Sequence, residues 1–186
     1  MARVPLLDAR DVPGKADLID RIQGARRGNL INVYRMLLNS PPLAETWFEH
    51  LNSVRWSTTL SGRLREIVII RIGHLTGCGY ILRQHVPLLA ESEGLNGADC
   101  DGIADWKGSD RFTPQEQAVL AYVDAMTRTV TVPDPVFAAL GPWFDARAIT
   151  ELTVLIGTYN MHARVLMALE VDLEPPPAPP ATESPK

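Results

Sequence analysis

The sequence predicts an all-α fold of about eight helices, and three observations carry that prediction. Apolar residues recur at three- and four-residue spacings along most of the chain, as in Leu30, Val33, Tyr34, Leu37 and Leu38, which is the period of an amphipathic helix. Helix-start signals recur too. In Thr113-Pro114-Gln115-Glu116 a capping threonine, a proline suited to the first helical turn and a glutamate placed to return the capping bond stand together. Finally, no segment alternates apolar and polar residues for long enough to make a half-buried strand.

Taken in order, residues 1–14 carry Pro5 and Pro13 and no helical period, so they read as an arm, held down if Leu6 and Leu7 pack on the body. A helical domain is expected over 15–172. Leu18, Ile19 and Ile22 give the first apolar face, Gly24 and Gly28 loosen the chain, and Leu30 to Leu38 form the next helix. Ser40-Pro41-Pro42 ends it and starts another, with Leu43, Trp47, Phe48 and Leu51 on its apolar side. The stretch beginning near Ser61 and passing Leu64, Ile67, Val68, Ile70, Arg71 and His74 is apolar almost all round, which predicts a central, buried helix. After Thr76-Gly77-Cys78-Gly79 a further helix is expected from Cys78 to Glu93, kinked by Pro87, with Gly94 as its stop. Asn96 caps a short helix over 98–104, Thr113 opens a longer one, a short one follows over 133–140, and Asp145 caps the last. Residues 173–186, rich in proline, read as a disordered tail.

The composition narrows the function. A chain of 186 residues buries enough surface for a core without staples. Its two cysteines cannot make a disulfide framework, and no charged-then-apolar leader opens it, so a cytoplasmic setting is expected. A net charge of -4 with scattered basic residues gives no footprint for nucleic acid, and no apolar run approaches the roughly 20 residues of a membrane helix.

Chemistry concentrates between Glu66 and His85. His85 titrates near pH ~6.5 when unperturbed and so can both take and give a proton; its plainer role is to bond a neighbouring helix. Glu66 is a carboxylate in an apolar run and asks for a partner, either His85 or an arginine such as Arg63 or Arg65. Cys78 stands between two glycines at a helix start, where amide N–H groups lower a thiol's pKa; alternatively it is a small buried apolar residue. Tyr80 and His74 are candidates for contact with a substrate, and Arg71, Arg83 and Arg164 for a cation facing a substrate carboxylate, with solvated surface as the ordinary alternative. His162 and Trp56 are further pocket candidates. The spacings match no zinc motif.

On Glu66, Cys78 and His85, and on the phrases RLREIVIIRIGHLTGC and RQHVPL around them, the sequence resembles the carboxymuconolactone decarboxylase family, small helical proteins that include the alkylhydroperoxidase D type. Its redox members carry a glutamate, a cysteine twelve residues on, a second cysteine three further and a histidine four beyond. Here the second cysteine position holds Ile81. The resemblance implies an alkylhydroperoxidase D-like bundle, obligately oligomeric as trimers or hexamers, with no metal and no cofactor, and with catalytic roles for His85, Glu66 and Cys78. A dithiol cycle needs two neighbouring sulfurs, and Cys100 lies between Asp99 and Asp101, which raise its pKa. The expected function is therefore a cofactor-free lyase that decarboxylates a small carboxylated lactone or related activated acid. A single-cysteine, thiol-dependent antioxidant protein and a non-catalytic ligand-binding oligomer are the alternatives.

Overall fold

The computed structural model describes residues 1–175. Among these residues the chain forms nine α-helices, three short 3-10 turns and no strand, as the helical periods predicted. The helices are α1 (Ala16–Ala25), α2 (Asn32–Leu37), α3 (Pro41–Trp56), α4 (Gly62–Thr76), α5 (Gly79–His85), α6 (Gly97–Ala104), α7 (Pro114–Arg128), α8 (Asp134–Ala138) and α9 (Ala146–Ala168).

The axis of the fold is α4. Ser61 caps it by accepting from the Leu64 N–H at 3.2 Å, and every residue from Leu64 to Gly73 is buried. A helix buried on all sides must be apolar all round, which explains why its sequence shows so little amphipathic bias. It packs against α5, α6, α7 and α9. Its few polar residues are satisfied by neighbours. Arg71 holds the Asp124 carboxylate with two bonds of 2.6 and 2.8 Å and donates to the carbonyls of Ile103 and Ala104, tying α4 to α6 and α7. Arg63 reaches Glu116 at 2.7 Å and Asp99 at 3.1 Å.

Gly77, at φ 66°, closes α4 in the left-handed conformation, and its N–H returns to the Gly73 and His74 carbonyls. That turn folds α5 back along α4. The expected continuous helix from Cys78 to Glu93 is shorter in the structure: α5 ends at His85, turns follow, and a 3-10 turn over Glu91–Glu93 ends at Gly94 with φ 88°. Pro87 supplies the reason, because it has no N–H for the Arg83 carbonyl and its ring crowds that turn. The end of the helix thus falls at His85.

The N-terminal arm is tied to the body. The Arg3 N–H donates to the Leu169 carbonyl at 2.8 Å and the Leu7 N–H to the Arg35 carbonyl at 3.1 Å, while Leu6 and Leu7 pack on the main core. Of the segment 173–186, the first three residues are described and residues 176–186 lie outside the described part. No described helix is long and apolar enough to cross a membrane.

Candidate active site

The α4–α5 hairpin brings Glu66 opposite His85, the last residue of α5. The Glu66 carboxylate is completely buried and His85 is 6% exposed, with His85 Nδ1 2.6 Å from Glu66 Oε2. Arg55, in the last turn of α3, reaches the other carboxylate oxygen at 3.4 Å. From α9, Tyr159 meets the His85 ring edge-on at 5.6 Å and His162 lies 5.7 Å from Tyr159. His85, Arg55, Tyr159 and His162 border a cavity of about 660 Å³, also lined by Arg26, Tyr34, Tyr80, Gln84 and Glu174, while Glu66 lies buried behind His85.

Burial alone would raise the Glu66 pKa. Its partners, His85 first and then Arg55 and Arg65, outweigh it and hold the carboxyl below its usual range. Burial pushes His85 the other way, below its usual value, against the attraction of Glu66. The resting pair is thus a carboxylate and a neutral imidazole. An ionised carboxylate only accepts hydrogen bonds, so the imidazole proton sits on Nδ1 and the Nε2 lone pair faces the cavity. His162 is buried and driven down to about 3, chiefly by desolvation and then by His85, Arg26 and Arg55. It is neutral, and its Nδ1 has no hydrogen-bond partner among the described residues. Burial lifts the Tyr159 phenol to about 12, so it too stays neutral.

Of the residues singled out in the sequence, His85, Tyr80, Trp56 and His162 line the cavity, and Glu66 is held behind His85. Four others do not. Cys78 is fully buried in the main core and does not border the cavity. Burial raises its thiol pKa despite backbone N–H groups from Ile81 and Tyr80 that lower it, so the expected acidification at the helix start is reversed by desolvation. Arg71 is committed to Asp124 on the far side of α4. Neither Arg83 nor the exposed His74 lines the cavity. Both cysteines are free thiols; Cys100 belongs to a second core cluster, with Ile67 and Trp106.

Sequence reasoning passed over Arg26, Arg55, Tyr159 and Glu174. Arg26 bonds Tyr34 Oη at 2.9 Å and Asn52 at 3.3 Å and has no carboxylate partner among the described residues. The signal for Arg55 was its place beside Trp56, over which its guanidinium stacks at 4.6 Å. For Tyr159 and His162 it was their three-residue spacing on an apolar helix.

Residues 41–125 match the model of the carboxymuconolactone decarboxylase family. The match contains Arg55, Glu66, Cys78, Tyr80 and His85, and leaves Arg26, Tyr159, His162 and Glu174 outside it. A curated relative, the uncharacterized protein YnjA of Escherichia coli (strain K12), is 34% identical over 109 residues, which are 58% of this chain and 59% of that protein. The chain therefore spans less than two thirds of the relative's length. Solved structures share the fold. A protein of unknown function from Agrobacterium tumefaciens, assigned provisionally to the antioxidant defence protein AhpD, superposes with a TM-score of 0.70 at 26% identity, over 75% of this chain and 95% of that one. An uncharacterized peroxidase-related protein from Ralstonia eutropha JMP134 gives 0.80 at 16% identity over 93% and 92%. The debrominase Bmp8, in complex with 2,3,4-tribromopyrrole, gives 0.76 at 18% identity over 92% and 91%. The stretch that matches the family model thus sits in an AhpD-like helical fold. Among its described residues no group of three or more His, Cys, Asp or Glu side chains is disposed to hold a metal ion.

Proposed function

We propose that this protein is a cofactor-free acid–base enzyme, a lyase that decarboxylates a small activated carboxylic acid of the carboxylated-lactone type, and that it works as a homo-oligomer. One observation carries the reading: a buried Glu66–His85 pair at 2.6 Å whose free imidazole nitrogen opens into a cavity that no thiol lines.

Two cavity-lining guanidiniums, Arg26 and Arg27, form no ion pair among the described residues, and Arg26, beside Tyr34, is the one that orients an anionic substrate. Its negative charge favours the protonated form of His85, and Glu66 behind the ring stabilises the resulting imidazolium. Breaking the carbon–carboxyl bond releases carbon dioxide and leaves its electron pair on the conjugated carbonyl as an enolate. The Tyr159 hydroxyl, bonded to none of the described residues, is a neutral donor for that developing charge. His85 then delivers the Nε2 proton to carbon and regains one from solvent.

Carbon dioxide release from a panel of small keto and lactone acids tests the proposal. His85→Gln is expected to lower kcat by about 10²–10⁴, the usual worth of a positioned proton donor, while Cys78→Ser stays within a few-fold of the parent. Unchanged turnover in the histidine variant sinks the assignment. Turnover that instead depends on peroxide and vanishes with Cys78 establishes the antioxidant alternative.

A further inference from the structure

Beyond Asp172 the described chain is held at the cavity by one side chain. The last helix ends at Ala168, Val171 is buried, and Asp172 is anchored twice: its carbonyl accepts from Asn32 Nδ2 at 3.0 Å and its carboxylate from the Ala2 N–H at 2.9 Å. Leu173 is then exposed, and among the described residues the next hydrogen bonds all go to the Glu174 carboxylate.

Three donors converge on that carboxylate. The Asn32 backbone N–H reaches Oε1 at 2.8 Å, the Tyr80 hydroxyl donates to the same oxygen, and the Gln84 amide donates to Oε2. Tyr80 is only 5% exposed, and its own oxygen accepts the Val33 N–H at 3.2 Å. That bond occupies one lone pair and leaves the phenolic proton directed at Glu174. Burial, together with the charge of Glu174, pushes the phenol far up, so Tyr80 remains a neutral donor. No cation forms an ion pair with Glu174 among the described residues. Both carboxylate oxygens are therefore recognised by neutral hydrogen bonds, the whole head group lies within the cavity lining, and nothing covalent or ionic fixes it there.

We infer that Tyr80, Gln84 and the Asn32 N–H form a carboxylate-binding subsite at the cavity mouth, and that Glu174 is an internal occupant which a small-molecule carboxylate must displace. As the subsite of the proposed decarboxylase it rests on that reading; as a carboxylate-binding site it does not. A tethered group competes at an effective concentration of roughly millimolar for a short flexible tether, so a free carboxylate meets a self-blocked site. Swinging Glu174 out breaks three hydrogen bonds, and the incoming carboxylate makes them again.

Equilibrium binding of benzoate at neutral pH, followed by calorimetry on the full chain, tests this without requiring turnover. Glu174→Ala is expected to tighten benzoate binding at least tenfold, with Glu174→Gln between parent and alanine. Adding Tyr80→Phe and Gln84→Ala to the alanine variant returns the affinity to the parent's or weaker. Circular dichroism melts identify any variant that has lost its fold, and Tyr80→Phe alone in the alanine background then serves in its place. Equal affinity in parent and Glu174→Ala overturns the inference. So does tight binding that survives loss of Tyr80 and Gln84, because the ligand then sits elsewhere, for instance on Arg26. If benzoate behaves as expected and no acid in the panel loses carbon dioxide, the subsite stands and the decarboxylase reading falls.

Discussion

Glu66 shows how a single residue sets the chemistry of its neighbour. A lone ionised carboxylate at full burial costs several kcal/mol, and here the cost is offset by His85 on one oxygen and Arg55 on the other. The same contacts govern the acid–base behaviour. Burial holds the His85 pKa below its usual value of 6.5 while Glu66 pulls it up. If the protonated imidazole donates to carbon, kcat/KM, which reports the free enzyme, rises as the pH falls below neutrality and levels off below the folded pKa of His85. Glu66→Gln removes the upward pull and is expected to move that limb to lower pH. A limb that stays in place shows that Glu66 does not act through His85. The need for a partner was legible in the sequence, because a carboxylate on a buried helix demands one, but the choice between His85 and an arginine was not, and the structure supplies both His85 and Arg55. The fate of Cys78 was not legible either, since its helix-start position and its burial act in opposite directions and only packing decides between them.

At the scale of the element, the α4–α5 hairpin depends on two glycines for different reasons. Gly77 has φ 66° and open space around the missing side chain, whereas a Cβ on Gly73 would lie 2.8 Å from Leu82 Cδ2 and 3.2 Å from Ile81 Cγ2. Gly77→Ala is expected to cost about 1–2 kcal/mol from left-handed backbone strain alone. Gly73→Ala should cost about 1–3 kcal/mol through overpacking and push α5 away from α4, so that it also weakens the Glu66–His85 contact. Adding Leu82→Ala relieves the second and not the first, a difference that urea melts of the single and double variants will read. Helix starts were the most legible part of the fold: Ser61, Asn96, Thr113 and Asp145 all cap as their spacing implied. The end of α5 was missed because Pro87 was read as a kink within a longer helix, while in the structure the chain leaves the helix two residues before it. Arg26 and Glu174 were illegible for a plainer reason. They reach the cavity from opposite ends of the chain, and no local period records such a meeting.

For the whole molecule, burying Arg55, Glu66, His85 and His162 from four helices around one cavity makes stability depend on pH. In the unfolded chain each histidine takes a proton near pH ~6.5. Folded His162 does not do so until about 3, and folded His85 also binds its proton below the usual value. Below pH 6.5 the unfolded state therefore holds more protons than the folded one, and stability declines on acidification by up to about 1.4 kcal/mol per pH unit for each such histidine. Glu66, with its carboxyl held below the usual 4.5, adds a loss only at lower pH, so the interval from 6.5 to 4.5 belongs to the histidines. His162→Gln keeps a polar group of similar size and removes the titration. In urea melts at pH 7.5, 6.5, 5.5 and 4.5, the variant is expected to lose stability less steeply, by up to about 1.4 kcal/mol per pH unit, and to converge on the parent above pH 7 apart from a constant offset. Parallel curves would mean that His162 is charged as easily in the folded protein as in water, and that the cavity floor is wet. Burial lowers the pKa of His85 as it does that of His162, so this measurement bears on the chemistry as well as on the fold.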